Sequence, residues 1–203
     1  MRLFTRAKAA HSPIACAHWP ACSPTVPADS REGVHDSYAI ALTVAGEDSG
    51  TVLEKAIRAL REYRIFPANR MRHAFCPSAQ ELTSGTTIVQ RVFVGPLAVE
   101  MAVRVIDVFD HRGEDRRIGF TYVTLEGHME RGIATFSLRL SRTNEVTFHI
   151  ESWSRPGNWL AALAQPLARA VQKRFTKEAL AGFAVALQEA EHPGSRSGAC
   201  DRP

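Results

Sequence analysis

The chain has 203 residues, 45% hydrophobic and 23% charged, and its 25 Lys and Arg against 21 Asp and Glu leave a formal net charge of +4. Those values are ordinary for a one-domain globular protein, and a core of about 160 residues folds without disulfides or a structural metal, so no cofactor is called for. Four scattered cysteines are too few for a secreted disulfide framework, the basic N-terminus lacks the apolar run of a signal peptide, and no stretch nears the ~18 apolar residues of a membrane span. The expectation is a cytoplasmic protein with neither a membrane anchor nor a nucleic-acid partner, since the basic residues form no block and are not interleaved with aromatics.

Residues 1–35 are rich in Pro, Ala and Ser without apolar periodicity, and predict a poorly ordered tail. His11, Cys16, His18 and Cys22 offer soft metal ligands there, but their spacing fits no standard pairing that would close a tetrahedral site. Tyr38 to Val44 alternates as a strand does. A helix follows, with Asp48 or Ser49 as its N-cap and Val52, Leu53, Ala56, Ile57, Leu60 and Tyr63 at helical spacing. Phe66-Pro67-Ala68-Asn69 breaks it and leads into a short strand from Met71 to Cys76, in which His73 and Cys76 are ordinary strand residues.

Five more strands are predicted: Thr86 to Val94, Leu97 to Phe109, Arg116 to Leu125, Ile133 to Leu140 and Glu145 to Trp153. Gly95-Pro96, Asp110 to Gly113, Glu126 to His128 and Arg142 to Asn144 supply short turns, which force antiparallel neighbours. After Pro156 the pattern becomes helical to about Glu189, with Leu163, Leu167, Val171, Phe175, Ala179, Phe183 and Leu187 at i+4 steps. Pro166 implies a short helix, a break, and a long helix starting there. The domain is therefore expected over 36–190, with a second tail over 191–203.

This order of elements is α+β and has the arrangement of START-like helix-grip folds: a curved antiparallel sheet of about six or seven strands on a long C-terminal helix. The run Gly119-Phe-Thr-Tyr-Val-Thr-Leu-Glu-Gly-His128, then Ser154-Arg155-Pro156 and Gln172, resembles domain-of-unknown-function family nineteen-ninety over about Tyr38 to Phe183. The resemblance implies a START-like fold and no established reaction. The chain departs from the family pattern at Met129, where proline is common, and at Ile133, where a glutamate is expected.

Around that motif, Tyr122, Glu126 and His128 alternate along a strand and its turn, and a neutral His beside a carboxylate and a phenol moves protons near pH 7. The structural alternative is a turn in which Gly127 takes an unusual backbone angle and His128 caps the strand. Arg155, at the end of the last strand, pairs with an acid such as Glu151 or holds an anionic ligand group. Arg91 lies in an apolar strand beside Val89 and Phe93 and needs a partner or a polar ligand. Arg104 shares a face with Glu100 and Ala102. Trp153 and Trp159 flank the Ser-Arg-Pro turn and line a cavity mouth or pack the helix start. No phosphate-loop, dinucleotide or nucleophile-elbow signature occurs.

Three readings follow. The first is a protein that binds a small apolar or amphipathic molecule between sheet and C-terminal helix, with Tyr122, Glu126, His128, Arg155, Arg91 and Trp153 as candidate ligand-binding residues. The second is an enzyme on that scaffold using the Tyr/Glu/His set. The third is a protein-interaction module with a filled core.

Overall fold

The computed structural model describes residues 1–16, 18–78, 81–157 and 165–189. Eight strands form one antiparallel sheet: β1 Arg2–Thr5, β2 Val34–Leu42, β3 Met71–Cys76, β4 Thr87–Val94, β5 Leu97–Arg112, β6 Arg116–Thr124, β7 Glu130–Leu140 and β8 Val146–Pro156. Seven of them run in the order β2-β8-β7-β6-β5-β4-β3, and β1 pairs with β5. Strands β3 to β8 are a meander, as the short turns require. The helices are α1 Arg6–His11, α2 Ser49–Arg61 and α3 Gln165–Glu189. The expected break before α3, and Trp159, lie outside the described residues.

Strands β2 and β3 are consecutive in sequence but occupy opposite edges of the sheet, so α2 crosses the face between them. Asp48 starts α2 by accepting from the amides of Gly50 and Thr51 at 2.8 and 3.0 Å, a cap that satisfies two otherwise orphaned donors. Its apolar stripe, Val52, Leu53, Ala56 and Leu60, is buried against the sheet. Helix α3 shares that face through Ala179, Phe183 and Leu187, and the Phe183 ring stacks on Phe148 of β8 at 4.2 Å. The result is a helix-grip fold in which alternate residues of each strand face the two helices.

The other face contradicts the expectation of a tail. Residues 2–16 and 18–27 pack on it through β1, α1 and a 3-10 turn at Trp19–Ala21. Strand β5 outruns its partner: Val103–Arg112 pairs with β6, and the first four residues, Leu97–Glu100, are taken by β1. Ala9 and Phe4 pack with Phe93 and Ala98, while Trp19 covers a cluster containing Val89, Ala102 and Leu125. Cys16 and Cys76 are joined in a disulfide that clips this segment to β3, so Cys16 is not available to the soft-ligand set noted above. Composition concealed the segment because its few apolar residues fill an existing sheet surface instead of forming an element of their own.

Candidate functional site

The helix-facing side of the sheet is lined mainly by hydrocarbon, and three of the polar side chains on it bear on the site. The first belongs to Tyr63, at the end of α2. The amide of Arg64 donates to the Ala59 carbonyl at 2.8 Å and that of Tyr63 to Leu60 at 3.0 Å, a helix ending whose turning residue must be left-handed. Tyr63 is that residue, with φ 55°. Glycine or asparagine is usual there, and a side chain with a Cβ costs about 1–2 kcal/mol. This geometry sends the ring inward: Tyr63 is 1% exposed, with Phe120 at 5.9 Å, Phe136 at 6.5 Å and the His73 ring edge-on at 5.1 Å.

The second is Gln90 on β4, whose strand neighbours on that side are Ile88 and Val92 and whose cross-strand neighbours are His73 and Met101. It is 3% exposed, and its Nε2 donates to the Tyr63 hydroxyl at 2.6 Å. The third is Tyr122 on β6, which packs against Phe120 and Phe136. Burial raises both phenols above their ordinary range, and for Tyr122 the charge of Glu130 adds to the effect. Both are therefore protonated donors at neutral pH. Tyr122 is half-buried, in a cross-strand row that runs from Val105 through Tyr122, Ala134 and Ser152 to Asp36. The small side chains of Ala134 and Ser152 leave Tyr122 and Asp36 standing above that stretch of sheet.

Beyond Tyr63 a groove of about 1230 Å³ opens between α3 and residues 63–73, walled by Phe66, Pro67, Met71, Ala181, Val185 and Ala186. Its cations are engaged: Arg64 with Glu62, Arg70 with Glu178, and Arg72 with the Ala10 carbonyl. The groove thus presents an apolar wall with a rim of hydrogen-bonded arginines.

The residues expected from sequence are dispersed by this fold. Tyr122 alone of the six faces the helices within the main core. Glu126 is exposed and accepts from the Ser23 amide at 3.5 Å. His128 holds the β6–β7 connection, its Nδ1 lying 3.0 Å from both the amide nitrogen and the carbonyl oxygen of Glu130, so that the tautomer decides whether it accepts or donates. Gly127 has φ 82°, as the structural alternative requires. The alternation that put Tyr122, Glu126 and His128 on one face stops at Thr124, where β6 ends, and the trio is not assembled.

Arg91, Trp153 and Arg155 lie on the opposite face of the sheet. Arg91 pairs with Glu100 beneath the N-terminal segment. Trp153 stacks on His35 at 4.3 Å and carries the Arg31 guanidinium 4.6 Å above its ring. Arg155 is exposed and pairs with Glu32 at 2.9 Å, not with Glu151, which faces His35. Arg104 donates to the Pro20 carbonyl at 2.6 Å. Sequence reasoning passed over Gln90 in favour of its charged neighbour Arg91, although Gln90 is the polar residue in phase with Ile88 and Val92. It also read Tyr63 as one more apolar position of α2, with no local cue to its left-handed backbone.

Among the described residues no group of three or more His, Cys, Asp or Glu is placed to hold a metal ion, and no helix is long and apolar enough to cross a membrane. The profile of a family described as "Domain of unknown function (DUF1990)" matches residues 25–182. A UPF0548 protein of Arabidopsis thaliana is 27% identical over 150 residues, covering 72% of this chain and 70% of that protein. One from Deinococcus radiodurans is 33% identical over 129 residues, which is 60% of this chain and 64%, under two thirds, of the relative's length. Among solved structures, a hypothetical protein of Helicobacter pylori superposes with a TM-score of 0.50 at 12% identity, covering 86% of this chain and 95% of that one. That likeness concerns the fold alone.

Proposed function

The chain belongs to the DUF1990 family, whose description names no activity, and on its helix-grip scaffold we propose that it binds a small apolar or amphipathic molecule between the sheet and the C-terminal helix. The observation that carries this reading is the groove at Tyr63, where α3 meets residues 63–73 at Gly182–Pro67 and Glu178–Arg70 and leaves apolar side chains lining an open concavity. Small-molecule sites are concave and mostly apolar, with a few convergent polar groups. Here the groove supplies the apolar wall, and Tyr63 and His73, which line it, supply polar groups. The enzyme reading built on Tyr122, Glu126 and His128 loses its footing because the three take separate partners. The Cys16–Cys76 bridge favours an oxidising compartment over the cytoplasm expected from the cysteine count.

The test is native mass spectrometry with solvent extraction of protein from its own host, paired with uptake of 2-ethylnaphthalene by equilibrium dialysis. Ala181 is exposed on α3 at the groove wall, so Ala181→Trp fills the groove without touching the core. Saturable uptake near one molecule per chain, lost in Ala181→Trp at unchanged melting temperature, supports the reading. No saturable uptake by the native chain overturns it.

A further inference from the structure

The groove wall that includes Asn69, Met71 and His73 is held from behind. Strand β3, which carries most of it, is the last strand of the sheet and, among the described residues, pairs with β4 alone. On its other face the N-terminal segment supplies three ties. Arg6 Nη2 donates to the Asn69 carbonyl at 3.1 Å, Arg72 Nη1 donates to the Ala10 carbonyl at 2.6 Å, and Cys16 is bonded to Cys76. They fall at the start, the middle and the end of residues 69–76.

The segment is itself anchored to the inner sheet, because Arg91 of β4 donates to the carbonyls of Ala9, Ser12 and Pro13. Beyond Pro13 the bridge takes over. Two of the three ties are hydrogen bonds of exposed arginines, which water replaces at little cost; the third is covalent. Cys76 is 1% exposed and Cys16 only half-buried, so an incoming thiolate meets the bridge at the Cys16 sulfur, with Cys76 as the leaving group. A dithiol reductant completes the exchange: it gives up two electrons and two protons and closes its own disulfide, leaving Cys16 and Cys76 as two thiols.

We propose that the Cys16–Cys76 bridge sets the affinity of the groove. Bridged, the chain holds β3 in the geometry of the groove wall; reduced, it releases the end of β3 and binding weakens. This rests on the binding reading above and adds its regulation. A wall already fixed in its bound geometry binds more tightly because no ordering cost remains. Linkage makes the effect reciprocal, so a ligand that prefers the bridged chain protects the bridge from reduction.

The experiment is equilibrium dialysis of 2-ethylnaphthalene against oxidised and dithiothreitol-reduced full chain. It is repeated on Cys16→Ser with Cys76→Ser, and on Cys22→Ser with Cys200→Ser, which keeps only the bridge. The reduction potential of the bridge is measured with and without the probe, and thermal denaturation follows each form. Reduction is expected to weaken uptake about tenfold, equally in the native chain and in Cys22→Ser with Cys200→Ser. The chain without the bridge should bind as the reduced native chain does, whether or not reductant is present. Saturating probe should lower the reduction potential by about 30 mV, the equivalent of that tenfold for a two-electron couple. Equal affinity in the oxidised and reduced chains overturns the inference and leaves the binding reading standing, as does a difference that vanishes in Cys22→Ser with Cys200→Ser. A reduced chain that no longer melts cooperatively overturns it too, since the bridge would then hold the fold and not the wall. Failure of the oxidised chain to take up the probe overturns both.

Discussion

Arg91 and Glu100 face each other across β4 and β5 and form an ion pair in which each side chain is 2% exposed. All five guanidinium hydrogens have acceptors: Nε and Nη2 reach Glu100, Nη1 reaches the Ala9 and Ser12 carbonyls at 2.6 Å, and Nη2 also reaches Pro13 at 3.1 Å. Removing one member leaves an uncompensated buried charge, which costs about 3–5 kcal/mol. Glu100→Gln is therefore expected to lower stability by that amount in urea denaturation. Replacing both, as Arg91→Met with Glu100→Leu, should cost well below the sum of the single changes. Strictly additive losses would show that the two charges do not depend on each other.

The disulfide gives a second test. Cys16 and Cys76 are 60 positions apart, and closing a loop of that length restricts the unfolded chain by about 4 kcal/mol in the entropic account, of which 2–4 is commonly realised. Cys76→Ala should lower stability within that range and open residues 1–27 to limited proteolysis, followed by mass spectrometry of the fragments. An N-terminus as resistant in the variant as in the native protein would mean that the apolar contacts of Trp19, Ala9 and Phe4 hold the segment without the clip.

Stability should fall with pH before the carboxylates titrate. Burial holds the His128 imidazole down to about 4, and burial also lowers His73 and His149. In the unfolded chain each takes up a proton near 6.5. The unfolded state then binds more protons than the native one, so the native state loses ground as pH drops below 6.5, and the part due to His128 levels off below about 4. Its share is on the order of 3 kcal/mol. Denaturation midpoints at pH 7.5, 6, 5 and 4 should decline, with the steepest histidine-dependent part above pH 5. In His128→Leu the decline should be shallower. An unchanged slope in that variant would rule out His128 as a contributor.

Tyr63→Gly sets two effects against each other. Glycine relieves the left-handed backbone, a gain of about 1–2 kcal/mol, but deletes a ring buried among Phe120, Phe136 and His73 and leaves Gln90 short of a partner. Large-to-small changes of an aromatic core residue cost about 3–5 kcal/mol, so the loss should prevail by a few kcal/mol. Tyr63→Phe keeps the ring and the strain and should cost about 1–2 kcal/mol through the unmade hydrogen bond from Gln90. A glycine variant more stable than native would show the ring to be poorly packed.

Much of the architecture was legible in the chain. Alternation located β3 and β4 within a residue and β5 to β8 within about three at either end, because the sheet has one face against the helices and a one-residue slip would turn every apolar side chain outward. Asp48 announced α2, and the i+4 stripe ending in Ala179, Phe183 and Leu187 announced α3. The family motif from Gly119 to His128 was equally plain, and it does mark β6 and its turn.

Its residues were less informative about the site, because periodicity says which side chains share a face and not where a strand ends. Thr124 ends β6, so Glu126 and His128 leave the face of Tyr122. Arg91 was correctly judged to need a partner, but which face it lay on depended on the pairing of β4 with β5. The N-terminal segment shows the same limit in reverse. Nothing local orders residues 2–16 and 18–27, and they order only because β5 outruns β6 and leaves an edge and an apolar surface to cover.

Local sequence thus determined the strands, the caps and the apolar stripes, since these depend on interactions between residues a few positions apart. Tertiary structure alone decided that Tyr63 and Gln90 meet, that Cys16 reaches Cys76, and that Arg91 lies over Glu100 under its own N-terminus. Each of those is a contact between distant parts of the chain, set by strand register and by the way α2 crosses the sheet, and no window of neighbouring residues contains that information.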